Sequence, residues 1–418
     1  MIKKRVLSGM RPTGRLHLGH YFGALSNWLK LQEEYDCFFF VADWHALTTH
    51  YEDTSSVAEN TLQVAMDWLA VGLDPAKSTL FIQSQVLEHA ELHVLLSMIT
   101  PLSWLERVPT YKEQIENLKD RDLGTYGFLG YPLLQSADIV MYGEPKKDLL
   151  VPVGEDQAPH VELTREIVRR FNFQFGFNLA PALFEPQNEK SLRAMLAALG
   201  SDAEKLAPLN FPDQAWRQTA RSRIHKKAAQ DGIDNFLETV GKAAKFVRTA
   251  KVLAEPAYIP TETPRLPGLD GRRMAKSYGN AIWLSDPPDE IRAKVRNMMT
   301  DPQRVRRTDP GRPEICPVFA WHKLFSPPDT VARIDRDCRS AAIGCVDCKK
   351  EMAENLVRWI EPVQERRKKY EANPGEVWDI LDAGSAQARK AARRTMKRVR
   401  NAIFQWDAAR KTFPAPSR

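Results

Sequence analysis

Residues Ser8 to Tyr21 read Ser-Gly-Met-Arg-Pro-Thr-Gly-Arg-Leu-His-Leu-Gly-His-Tyr. An apolar strand (Val6, Leu7) leads through Gly9, Pro12 and Gly14 into a segment of helical period marked by Leu18, Phe22, Leu25 and Leu29. A strand, a glycine-rich turn and a helix N-terminus together make an anion site, because free backbone N–H groups and the positive end of the helix dipole point the same way. His17 and His20 fall on the first helical turn with Gly19 between them, so imidazole and backbone donors can share one phosphate. Taken alone, the pair reads more readily as a capped helix carrying two surface histidines.

Downstream, the pattern is alternating. Cys37 to Ala42 is a continuous apolar run of the kind a strand buried on both faces shows. A helix of period 3.6 follows over Val57 to Val71, stopped by Gly72 and Pro75, and then comes a strand at Thr79 to Ile82. A helix runs through Leu92, Leu95, Leu96 and Ile99, and a further strand at Leu149 to Val153 precedes Gly154-Glu155-Asp156-Gln157. Strands alternating with helices predict an α/β fold with a parallel sheet, whose ligands bind beyond the C-terminal strand edges.

The totals bound the rest. A chain of 418 residues holds two or three domains and buries a sizeable core. Lys and Arg (60) exceed Asp and Glu (53), a formal +7 that suits a polyanionic partner without requiring one. Lys3, Lys4 and Arg5 run into a short strand rather than a signal-peptide core, and no apolar run approaches the ~18 residues of a membrane span. Five cysteines without export signals predict a reducing cytoplasm, with no membrane partner.

The tetrapeptide His17-Leu18-Gly19-His20 resembles the first signature of class I aminoacyl-tRNA synthetases, and Arg273-Met274-Ala275-Lys276-Ser277 resembles their second, lysine-bearing loop. Either alone is a weak match; the ordered pair in an α/β chain is specific. The stretch Tyr131 to Arg165, with Tyr131-Pro132-Leu133-Leu134-Gln135-Ser136-Ala137-Asp138, the Gly-Glu-Asp-Gln run and His160 to Arg165, resembles the tryptophanyl branch.

That resemblance implies a Rossmann-type catalytic domain that activates L-tryptophan with ATP and Mg²⁺ and passes it to tRNA(Trp), in a homodimer. His17, His20 and Lys276 are implied as catalytic. Arg11, Pro12, Thr13, Gly19, His20, Gly154, Glu155, Asp156, Leu266, Arg273, Met274, Ala275, Lys276 and Ser277 are implied to line the ATP site. Asp138, Tyr131, Gln157, His45 and Gln135 are implied to hold tryptophan. Asp138 makes chemical sense there, since an indole N–H only donates and a buried pocket must supply its acceptor. Arg11 stands where the family commonly has Gln, and Gln135 where an apolar residue is frequent. The rival readings are a tyrosyl-tRNA synthetase and a non-catalytic paralogue that binds tRNA or a protein.

The implied organisation is residues 1–175 and 253–299 as two parts of the catalytic domain, 176–252 as a helical insertion, and 300–418 as a helical anticodon-binding domain. A Pro-rich break (Pro208, Pro212) and basic residues such as Arg217, Arg221, Lys226 and Lys227 mark the insertion. In the last region Ala388, Ala392, Thr395, Val399 and Ala402 form an apolar helical stripe beside a cationic one of Arg389, Arg393, Lys397 and Arg400.

Cys316, Cys338, Cys345 and Cys348 are spaced Cys-x21-Cys-x6-Cys-x2-Cys. Four thiolates suit zinc or an iron–sulfur cluster. Some tryptophanyl-tRNA synthetases carry a [4Fe-4S] cluster on a similar spacing, so the resemblance favours iron–sulfur, with Zn²⁺ as the alternative. Cys37, in the apolar run, reads as a core residue.

Overall fold

The computed structural model describes residues 3–117, 124–145, 147–154, 157–200, 214–260 and 266–406. Glu155, Asp156, Pro208 and Pro212 lie outside them. Five parallel strands form one sheet: β1 (Arg5–Met10), β2 (Asp36–Val41), β3 (Ser78–Ile82), β4 (Leu149–Val153) and, after a two-residue ribbon of β5 (Asn178–Leu179) and β6 (Val247–Arg248), β7 (Pro256–Pro260). The order is β3-β2-β1-β4-β7, so the chain leaves β1 first to one side and then to the other. The Val57–Val71 helix forms over the expected residues, and Gly72 ends it in the left-handed region at φ +112°. The ribbon and β7 carried no alternation in sequence; the prolines that bound β7 are tolerated because it is an edge strand.

Alternate strand residues face opposite layers. Val6, Cys37, Phe39, Val41, Leu80 and Ile82 join a core with Trp28, Trp68 and helices of the C-terminal third. Leu7, Phe38, Phe40 and Phe81 join a second core with Leu92, Ala137 and Val168. Cys37 is buried in the first, as a core residue should be. The described residues of 177–200 and 214–247 pack around their own cluster, centred on Phe184, Leu192, Ile224 and Phe236.

β1 pairs with β2 along all of Arg5 to Met10, but with β4 only at Arg5 and Val6. Beyond that point β1 and β4 diverge, and their free C-terminal ends open a crevice at the topological switch point.

The Pro374–Phe404 helix covers the β3 edge. Ile82 N–H donates to Ser385 Oγ at 3.3 Å, so an edge amide finds its partner on a helix rather than on another strand. Ala388, Ala392, Thr395 and Val399 are buried, as their stripe predicts. Three of the four cationic residues are engaged, although Arg393, Lys397 and Arg400 remain exposed. Arg400 Nε donates to Glu91 at 2.6 Å, Arg393 to Glu88 at 3.3 Å and Arg389 to the Gln85 carbonyl at 3.2 Å. Helical periodicity identified the stripe but could not say that an acidic helix lies opposite.

Gly384 makes this packing possible. Alanine normally favours a helix interior over glycine by about 1 kcal/mol, but a Cβ here would sit 1.8 Å from the Leu80 carbonyl oxygen. The clash outweighs the propensity, and Gly384→Ala should lower unfolding stability by about 1–3 kcal/mol. Urea denaturation reads this as an earlier midpoint; a later one would mean the helix does not lie so close.

Candidate active site

The crevice holds a cavity of about 500 Å³ whose walls include Leu7 to Arg11 from β1 and its turn, Val151 to Gly154 from β4, and the face of the Tyr126–Met141 helix. Of the expected residues, Arg11, Thr13, His20, Gly154, His45, Tyr131, Gln135, Asp138 and Gln157 line it. Gly9 is required by its neighbour, since a Cβ there would lie 2.5 Å from the Phe40 ring.

His17 caps the short helical turn Leu18–His20, and its ring lies tilted against that of His20 with centroids 3.7 Å apart. Only His20 reaches the cavity wall. Its Nδ1 accepts the His17 backbone N–H at 3.2 Å, which leaves the ring proton on Nε2 as a donor. Burial, and then the charge of Arg273, push the His17 pKa down to about 4. Burial, then His17 and Arg273, take His20 to about 3. Both rings are neutral donors at pH 7, not cations. Because the unfolded chain binds these protons near pH 6.5 and the folded chain does not, stability should fall as pH drops from about 6.5 towards 4. The stability advantage of the wild type over His20→Gln should shrink through that window and stay constant above it; urea midpoints at several pH values check this.

The expected free amides at this helix start are already engaged. Leu18 N–H donates to the Ile282 carbonyl at 3.0 Å, and Gly19 N–H meets Met274 Sδ at 3.3 Å. The lysine loop therefore lies closed on the first signature. A thioether is a weak acceptor, so a phosphate oxygen can replace it at Gly19. Lys276 Nζ donates to the Thr13 carbonyl at 3.3 Å, and Arg273 and Ser277 are exposed beside it. Ala275 donates its N–H to Asn280 Oδ1 at 2.9 Å, while Leu266 and Pro12 are buried. Asn280, 3% exposed, also donates to Asp270 and to the Arg273 carbonyl, and so folds the loop on itself. Gly271 and Gly279, at φ +80° and +63°, turn the chain at its two ends.

At the opposite end of the cavity Asp138 is 1% exposed. His45 Nε2 lies 2.8 Å from its Oδ2 and His89 Nδ1 2.6 Å from its Oδ1, and Gln83 Nε2 donates to both oxygens. Burial opposes ionisation, but the hydrogen bonds and charges of His45 and His89 outweigh it and hold the carboxyl well below the usual range. Tyr131 shares a chain of polar contacts with Thr110 (2.6 Å) and, through it, His160 (2.7 Å). Gln83, His89, Thr110 and Tyr142 carried no sequence signal: Gln83, His89 and Thr110 stand among other polar residues, as in Gln83-Ser84-Gln85 and Glu88-His89-Ala90-Glu91, and nothing local marks them out.

The four cysteines converge near the start of the Cys345–Ala372 helix. Cys345 and Cys348 lie on its first turn, Cys316 caps the Pro317–Phe325 helix and Cys338 lies in the Pro328–Arg339 helix. Burial, then the charges of Cys316, Cys338 and Cys345, push the Cys348 thiol up to about 12. The thiols are thus close enough to oppose one another's ionisation. Among the described residues no group of His, Cys, Asp or Glu is arranged at ligating geometry. The donor chemistry fits a metal centre; the side-chain placement is that of protonated thiols. All five cysteines are free thiols, and no described helix is long and apolar enough to cross a membrane.

A Rossmann-type sheet with a nucleotide crevice at its switch point, capped by a lysine loop, is the architecture of a class I aminoacyl-tRNA synthetase. The chain matches the family described as tRNA synthetases class I (W and Y) over residues 3–201 and 231–360. It is 48% identical over 414 residues to the tryptophan–tRNA ligase of Ralstonia nicotianae, covering 96% of this chain and 99% of that one. It is 43% identical to the tryptophan–tRNA ligase of Thermotoga maritima, covering 96% and 98%. The tryptophanyl-tRNA synthetase of Campylobacter jejuni, solved with ADP and tryptophan, superposes with a TM-score of 0.71 at 26% identity, over 96% of this chain and 99% of that chain. The chain belongs to the tryptophanyl-tRNA synthetases of class I. Residues 202–230 fall between the two matched stretches.

Proposed function

We propose that this cavity activates L-tryptophan with ATP, releasing pyrophosphate, and that the enzyme then transfers the tryptophanyl group to the 3′ end of tRNA(Trp). The observation that carries the reading is one continuous cavity with a phosphate-type turn at one side and a buried carboxylate acceptor at the other. A tryptophan carboxylate is ionised at pH 7, so its attack on the α-phosphorus needs positioning and charge stabilisation rather than a general base. His20 Nε2–H and the Gly19 amide donate to the α-phosphate side. Lys276, with Arg273 and Ser277, holds the leaving pyrophosphate, whose charge the Mg²⁺ carried by ATP also offsets. Tyr131 and Gln157 receive the amino group, and Asp138 accepts the indole N–H. Tryptophan-dependent ATP–pyrophosphate exchange, run beside tyrosine, tests this; exchange with tyrosine alone would overturn the assignment of Asp138.

The enzyme works as a homodimer in this reading. Leu87, Val94 and Met98, seven and four residues apart on one helical face, are 68%, 50% and 74% exposed, a patch that a second copy can cover. Contact with tRNA is assigned to the helical region 300–418 as a whole, not to the Arg389–Arg400 stripe, whose arginines are largely paired.

Cys316, Cys338, Cys345 and Cys348 would hold a [4Fe-4S] cluster, in preference to zinc. Two of them sit where a helix N-terminus favours negative thiolates. Bound there, the cluster would join three helices and take no part in activation, although the helix that Cys316 caps packs against the base of the lysine loop, where Trp321 Nε1 donates to the Pro267 carbonyl at 2.9 Å. Iron, sulfide and zinc analysis of anaerobically purified protein should find iron and sulfide, both lost in Cys345→Ser. That variant should keep amino-acid activation and lose tRNA charging. Zinc without iron would overturn the cluster.

A further inference from the structure

Asp138 has its acceptor positions filled before any substrate arrives. Oδ1 takes His89 Nδ1–H at 2.6 Å and Gln83 Nε2–H at 2.8 Å; Oδ2 takes His45 Nε2–H at 2.8 Å and Gln83 at 2.9 Å. A carboxylate offers about four lone-pair directions. An incoming N–H must therefore displace a donor.

The three donors are not equivalent. His89 and Gln83 are fully buried and lie behind the carboxylate, off the cavity wall. His89 is braced in turn, because its Nε2 accepts the Tyr142 hydroxyl at 2.7 Å, and burial holds that phenol protonated. Gln83 keeps its nitrogen towards Asp138 although its Oε1 finds no partner among the described residues. An unsatisfied buried carbonyl is retained only where the other end of the amide is needed. His45 differs on both counts: it lines the cavity, and its side chain is 13% exposed.

We propose that tryptophan enters by donor exchange: its indole N–H displaces His45 from Asp138 Oδ2, while His89, braced by Tyr142, and Gln83 stay as positioning residues that keep the carboxylate aimed and ionised. The inference rests on the reading of Asp138 as the indole acceptor. It adds a selectivity rule, since a side chain without a donor, such as that of phenylalanine, cannot replace His45 and leaves the cage closed. The groups facing Asp138 are His45 from the Asp43–His50 helix and His89 and His93 from the Glu88–Ser97 helix. Tyr142 closes its own helix, with Glu88 beside that phenol. Loss of His89 removes one of the two strongest contributions that keep Asp138 ionised.

Imidazole ¹⁵N–¹H spectra of the full-length enzyme, titrated with ¹⁵N-indole tryptophan without ATP, test the exchange. His45→Gln and His89→Asn assign the two signals. At saturation the indole proton should move downfield, the His45 Nε2 signal should lose its hydrogen-bonded shift, and that of His89 should hold. An indole shift with His45 unmoved would overturn the exchange and leave the acceptor role standing. An unshifted indole at saturation, or the same shift in Asp138→Asn, would instead sink the acceptor role. In kinetics, His89→Leu should raise the tryptophan KM about tenfold or more and move the acid limb of kcat/KM to higher pH, with the ATP KM unchanged. His89→Asn, whose amide N–H can replace Nδ1–H, should recover most of the loss. A folded His89→Leu enzyme with native KM and pH profile would remove the positioning role. Should that variant not fold, Tyr142→Phe carries the same pH shift at smaller size, and its absence counts equally against the role.

Discussion

Lys276→Ala should slow tryptophan-dependent pyrophosphate exchange about a hundredfold or more while leaving tryptophan binding intact. Its ammonium reaches across from the lysine loop to the Thr13 carbonyl, 3.3 Å away, and a Cβ on Gly14 would lie 3.6 Å from the same nitrogen. Among the described residues no carboxylate pairs with it, so the charge is available to a phosphate that arrives between loop and turn. A donor aimed at charge that develops in the transition state is worth about 2.7–4 kcal/mol of barrier. The proposed tryptophan pocket lies at the Asp138 end of the cavity, which is why binding should be spared. Single-turnover adenylate formation separates the two effects, and a native activation rate would remove Lys276 from the mechanism.

Arg367→Met should cost about 3–5 kcal/mol of folding stability, a large share of a typical total. Arg367 is 2% exposed and its guanidinium pairs with Asp67, which is fully buried, and with Gln63. Asp67 uses its other oxygen to accept the Leu16 N–H at 2.7 Å, the residue before His17. Three residues earlier on the same helix, Gln364 donates to the Asp286 carbonyl at 2.7 Å, just past the lysine loop. One stretch of the Cys345–Ala372 helix therefore holds both signature segments in place.

Burial pushes the Asp67 carboxyl up to about 6 despite Arg367, and removing the guanidinium should raise it further. A raised carboxyl binds protons in the folded state first, so its destabilising charge disappears as pH falls through about 6. The deficit of Arg367→Met should accordingly narrow as pH falls towards about 6, where only the variant's Asp67 takes up a proton, and level off below it, and Asp67→Asn with Arg367→Met should recover most of it. Urea midpoints across pH measure both. A single variant as stable as the wild type, or a double variant worse than the sum of the singles, would refute the account. Activation by the folded fraction should also fall, because Leu16 loses a firmly held anchor.

The sequence by itself determined the alternation of strands and helices, the strand-to-helix turn that carries His17 and His20, and the lysine loop. Each is written in neighbouring residues: an apolar run, a period of 3.6, a glycine where the chain must reverse. Asp138 stood out for the same reason, as one carboxylate in an apolar helix. What surrounds these residues was decided only in three dimensions. The partners of Asp138 come from three separate segments, and Asp67 meets an arginine 300 positions away. Whether Arg389, Arg393 and Arg400 face nucleic acid or an acidic helix depends on which surface the helix meets, and periodicity defines a face without naming its neighbour. The divergence of β1 from β4 after Val6, which opens the cavity, follows from twist and packing across the whole sheet. Local patterns record backbone geometry; hydrogen-bond and ion-pair partners far apart in the chain leave no local record, because burial and proximity arise only when the layers close.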